Sequence, residues 1–134
     1  MRLARTAFLI TSLVAAAVMP AFAQEAAPAA ALDPNGTFMD SYGTSFTFKL
    51  CGDGTDLCGT LDVLKGKSAT PENLAYVGKQ VMQAKQSAPN QWKGSLSAGG
   101  ISADATVTMT GPDTIEIQGC RAAILCQTLA YNRT

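Results

Sequence analysis

From Gly36 onward, apolar and polar residues alternate with a period of two, the pattern of strands that bury one face. A first strand is predicted over 36–41, followed by a turn at Tyr42-Gly43. A second follows over 44–51, with Phe46, Phe48 and Leu50 on one face against Ser45, Thr47 and Lys49 on the other. Gly52-Asp53-Gly54-Thr55-Asp56 is turn chemistry: glycine tolerates positive φ, and aspartate bonds nearby backbone donors. The third strand, 57–64, turns Leu57, Gly59, Leu61 and Val63 inward. After a polar connection, Thr70 as N-cap and Pro71 at the first helical position predict a short helix over 71–77, ended by Gly78.

The alternation then resumes. A strand is preferred over 79–85, with Ser87-Ala88-Pro89-Asn90 as the turn after it. Another covers 91–97 and carries Trp92 and Leu96 up to the turn at Gly99-Gly100. The clearest period belongs to Ile101, Ala103, Ala105, Val107 and Met109, set against Ser102, Asp104, Thr106, Thr108 and Thr110. Gly111-Pro112-Asp113 turns the chain into 114–120, which places Ile115, Ile117 and Gly119 inward. A last strand, about 124–133, aligns Leu125, Gln127, Leu129 and Tyr131. About eight short strands with one short helix predict an all-β antiparallel meander. At this size, closing it into a small barrel removes both exposed edges.

The chain before residue 36 reads differently. Arg2 and Arg5, the apolar run Ala7 to Met19, Pro20 and the small–x–small triplet Ala21-Phe22-Ala23 predict a secretory signal peptide over 1–23. The run holds 13 residues, whereas a spanning helix needs about 20, so no integral membrane segment is expected after cleavage. Residues 24–35 are expected to form a flexible leader, leaving 36–134 as one β-barrel domain in an oxidising, secreted or periplasmic setting.

Charge and composition then remove function classes. Without Arg2 and Arg5 the 10 basic residues become 8 against 10 acidic ones, and no basic run appears, so nucleic acid is not an expected partner. The chain has no histidine, which leaves out histidine acid–base catalysis, Ser-His-Asp and Cys-His nucleophiles, and histidine-ligated metals. Asp53, Asp56, Asp62 and Asp104 lack calcium-loop spacing. No catalytic residue, cofactor or metal is expected. A lipid-facing barrel would need apolar residues outward, where this chain puts Thr, Ser, Lys, Asp and Glu.

Four cysteines remain. Cys51, Cys58, Cys120 and Cys126 all fall opposite the apolar faces of their strands. Gaps of six and five residues do not match the short spacing of zinc or redox motifs, and disulfides are the expected state. Three pairings are possible; Cys51–Cys58 with Cys120–Cys126 is favoured, because each pair flanks a short connection.

Gly36-Thr37-Phe38, Leu57-Cys58-Gly59-Thr60-Leu61, Gly78 and Gln91-Trp92-Lys93-Gly94 form an ordered set of landmarks. Gly119-Cys120, Leu125-Cys126 and Asn132-Arg133 complete it. In this order the chain resembles a bacterial periplasmic family described only as domain of unknown function 2147. The resemblance implies a small barrel of lipocalin or calycin type. Such barrels often open on G-x-W and carry a last-strand arginine over that ring; Gly36, Phe38 and Arg133 occupy those places and would close the barrel. Ser97-Ala98-Gly99-Gly100 replaces the polar segment that the family has after its tryptophan, so no ligand contact is carried over there.

Two functions are expected from different classes. The first is a non-enzymatic protein that holds a small apolar or amphipathic molecule, with Phe48, Trp92, Ala105, Met109, Ile117 and Gln127 as candidate wall residues. The second is a protein-interaction or inhibitor module with a filled barrel. Small inward residues (Gly59, Gly94, Ala103, Ala105) fit either, since they can interdigitate with larger side chains or leave a cavity. Trp92 can pack or stack a ligand, and an inward Gln127 can bond the barrel's own backbone or a ligand head group.

Overall fold

A computed structural model describes residues 31–121 and 125–134; the expected signal peptide, residues 24–30 of the leader and the start of the last predicted strand lie outside them. The strands are β1 (Gly36–Met39), β2 (Ser45–Cys51), β3 (Asp56–Val63), β4 (Gln80–Ala88), β5 (Gln91–Ala98), β6 (Ile101–Gly111), β7 (Thr114–Arg121) and β8 (Leu125–Arg133). They form a closed antiparallel barrel in chain order, sealed where Phe38 and Met39 of β1 pair with Arg133 and Asn132 of β8. Simple up-and-down order puts the connections β1–β2, β3–β4, β5–β6 and β7–β8 at one end. The chain termini and the other three turns occupy the opposite end.

Several boundaries differ from expectation, each for a local reason. A bulge opposite Ser45 and Phe46 inserts Asp62 into β3 and reverses the alternation beyond Leu61. Leu64 therefore turns into the core and the expected Val63 is 36 % exposed. Leu50 keeps its face but lies at a strand end, where nothing covers it fully. The helix α1 spans only Pro71–Leu74; Thr70 Oγ1 accepts from Asn73 N as a cap should. It stops early because β3 recaptures the chain: Gly78, at φ +85°, donates to Leu61 O, and Leu61 N donates to Lys79 O. Ser87 and Ala88, expected in a turn, extend β4, because Asn90 adopts φ 59° and lets the chain reverse at Pro89-Asn90.

Part of the expected leader packs on the barrel. Leu32 packs against the core, Leu32 N donates to Asn90 Oδ1 at 2.8 Å, and Leu50 N donates to Asn35 Oδ1 at 2.9 Å. Packing onto the barrel thus extends upstream of Gly36 at least to Leu32.

Arg133 ties this end together. Its Cζ lies 4.5 Å over the centre of the Phe38 ring. Its guanidinium donates to Asn35 O (2.7 Å), Asp33 O (2.8 Å) and Pro112 O (2.9 Å), and Nε lies 3.3 Å from Asp113 Oδ1. Gly36 sits at φ +137°, and any Cβ there would collide with Arg133 Nη1. Lysine cannot reproduce this planar fork. Arg133→Lys is expected to cost about 1–2 kcal/mol through the lost hydrogen bonds and weaker ring contact, read as a lower midpoint in urea unfolding. An unchanged midpoint would remove Arg133 from the closure.

Both disulfides form in the favoured pairing. Cys51–Cys58 joins β2 to β3 with Cα atoms 5.9 Å apart, and Cys120–Cys126 links directly opposed residues of β7 and β8 at 4.0 Å.

Candidate functional site

The two halves of the barrel are filled differently, and side-chain size decides where. Toward the termini, Phe38, Phe48, Leu57, Trp92, Val107, Met109 and Ile115 are all buried. The Phe48 ring makes an edge contact with Phe38 and stacks on Phe46, with centroids 6.0 and 5.9 Å apart. Gly59 faces Phe48 across β2–β3, and a Cβ on it would press into that ring. Gly94 has no room either, because the β4 backbone at Gln83 and Ala84 occupies the space of its missing side chain. Trp92 is 3 % exposed and donates through Nε1 to Thr55 O at 2.9 Å, fastening the β2–β3 turn to β5.

Beyond Phe46 and Tyr131, whose rings meet edge to face at 5.7 Å, the interior opens. Two adjoining cavities of about 560 and 530 Å³ share Ser68, Leu96, Ile101, Gln127, Leu129 and Tyr131. The first reaches inward to Ala103, Ala105, Ile117 and Gly119. The second runs under the β1–β2 turn and the 3-10 turn Gly66–Ser68, bordered by Asp40, Tyr42, Thr44, Phe46, Leu64, Lys65 and Lys67. Volumes of this order suit small-molecule sites. The space exists because β6 and β7 offer Ala103, Ala105 and Gly119 where larger residues would meet the rings opposite. Only Ala103 Cβ comes within 4 Å of the place a Gly119 side chain would take.

A polar roof partly covers this mouth. Asn73, buried on α1, donates through Nδ2 to Ser68 O at 2.9 Å and accepts from Gly100 N at 3.0 Å. It thereby holds α1 between the 3-10 turn and the β5–β6 hairpin. Thr44 Oγ1 bonds both Lys65 N (3.1 Å) and Lys65 O (3.3 Å), fixing where that connection begins. Asp40 Oδ1 accepts from Tyr42 N and Thr44 N, each at 2.9 Å. Burial, followed by the charge and hydrogen bond of Asp40, pushes the Tyr131 phenol far above its ordinary range. The phenol therefore stays protonated at neutral pH, with its proton directed to Asp40.

Of the six candidate wall residues, the structure brings together Ala105, Ile117 and Gln127. Phe48, Trp92 and Met109 lie in the filled half and border neither cavity. Gln127 is not a buried amide: it is exposed on the mouth side of β8, opposite Gly119. Leu125, aligned with it, is 70 % exposed beyond the last inward neighbour. Sequence reasoning did not single out Asp40, Lys65, Lys67 or Ser68, because a turn and an irregular connection have no period from which to read direction.

A further depression of about 520 Å³ lies at the opposite end, beside Ala31, Thr55 and the β4–β5 turn. Among the described residues no helix is long and apolar enough to cross a membrane, and no group of three or more Cys, Asp or Glu side chains is placed to hold a metal ion. No family model, no curated protein and no solved structure matches this chain.

Proposed function

We propose that this protein is a non-enzymatic carrier, exported to an oxidising compartment such as the bacterial periplasm, that holds a small amphipathic molecule in the open half of its barrel. The observation that carries the reading is the half-filled interior: a packed aromatic floor at Phe46 and Tyr131, with adjoining cavities above it. Apolar wall residues supply the driving force at about 25 cal/mol per Å² of ligand surface covered, and Gln127 and Ser68 orient a polar group. Two disulfides and the signal-like residues 1–23 support export. The interaction-module alternative requires a filled barrel, which the small residues of β6 and β7 do not supply.

Titration with the uncharged hydrophobic dye N-phenyl-1-naphthylamine tests this. The dye should gain fluorescence on micromolar protein, and Ala103→Trp, which fills the cavity from β6, should weaken it at least tenfold. Thermal stability should be retained, since the new ring enters empty space. No dye uptake by the native protein, or unaltered uptake by the variant, would overturn the reading.

A further inference from the structure

Charge is distributed unevenly around the two cavities. Lys65 and Lys67 border one and Arg121 the other, while Asp40 is the one carboxylate among their wall residues. Asp40 is largely buried and already accepts two backbone amides, so much of its charge is spent on the β1–β2 turn. The three cations are exposed at the rim, and below them the walls turn apolar at Leu96, Ile101, Ala105 and Ile117. The opposite end of the barrel is mixed in sign: Asp33, Asp53, Asp56 and Asp113 surround the termini and turns there, offset by Lys49, Lys85 and Lys93 on the adjoining strands and by Arg133, which pairs with Asp113 and backbone carbonyls.

From this placement we propose that the ligand is an anionic, single-chain amphiphile, with its acid group at Lys65, Lys67 and Arg121 and its chain toward Ala105 and Ile117. The proposal rests on the carrier reading and names its ligand class. A cationic amphiphile of the same length would place its charge against the same three cations. A neutral one would forgo the attraction and keep only apolar burial.

Displacement of N-phenyl-1-naphthylamine by dodecanoate, dodecanol and dodecylammonium, each below its micelle concentration, separates these cases. Dodecanoate is expected to compete about tenfold more tightly than dodecylammonium, with dodecanol between them, and the spread should narrow at about 0.5 M salt as screening shortens. In K65Q/K67Q/R121Q the three probes should converge while the dye still binds, which also reports that the barrel has folded. Equal competition by all three on the native protein, or preference for the ammonium, overturns the proposal and leaves the carrier reading standing. Failure of the dye itself overturns both. Co-sedimentation with phosphatidylglycerol vesicles, lost in the triple variant, would assign the cations to a membrane surface and equally overturn the cavity proposal.

Discussion

Replacing all four cysteines by alanine is expected to lower the melting temperature by roughly 20–30 °C, the equivalent of about 4–5 kcal/mol. Each bridge closes a short loop, with sequence separations of 7 and 6 residues. In the chain-entropy treatment, loops of that length contribute about 2–2.5 kcal/mol each by restricting the unfolded chain. The bridges lie on the outer face, so the loss involves no core cavity. They also sit at opposite ends of the barrel, one in the β2–β3 hairpin and one in β7–β8, so the two losses should add. Thermal melts of C51A/C58A, C120A/C126A and the quadruple variant give the answer. A combined loss below about 1 kcal/mol would mean that the bridges merely decorate hairpins already formed.

Phe48→Ala is expected to cost about 3–5 kcal/mol, close to the whole stability margin of many small domains. Phe48 is fully buried, touches two other rings, and fills the place left by the absent side chain of Gly59. Its removal joins a void to the floor of the open cavities, and neighbours on a closed sheet have little freedom to collapse into it. Denaturant midpoints should show the loss. Ala103→Trp, a larger change in volume made on the cavity side, should leave the midpoint near its native value. That contrast separates the filled half from the open one; equal losses at both positions would contradict it.

Much of the fold was legible in the chain because a period of two is a local property. Ile101 to Met109 and Phe46 to Phe48 declare their buried faces without reference to any partner. The cysteine pairing was legible for a related reason: sulfurs on the outer face of adjoining strands have few partners within reach. Errors clustered where alternation broke. The extra residue at Asp62 exchanges Val63 for Leu64, and the packing of Leu32 has no local signal because a single apolar residue among alanines has no period. The candidate site divided along the barrel axis. Ala105 and Ile117 sit deep on the open side, whereas Trp92, Phe48 and Met109 face inward equally well but at the packed level.

The sequence by itself determined most of the strands and their inner faces and the outward sulfurs, since each follows from residues read along one strand; the Gly36–Phe38–Arg133 clasp was an expectation of the family resemblance, and the structure forms it. Only the tertiary structure decided which inward residues border empty space. Whether a small side chain leaves a void depends on what stands across the barrel: Gly59 meets a phenylalanine ring and Gly94 a neighbouring backbone, while a side chain at Gly119 would meet only Ala103 Cβ within 4 Å. The cationic rim was likewise invisible along the chain. Lys65 and Lys67 sit in the β3–β4 connection and Arg121 at the end of β7, and closure of the sheet is what brings both places to one mouth.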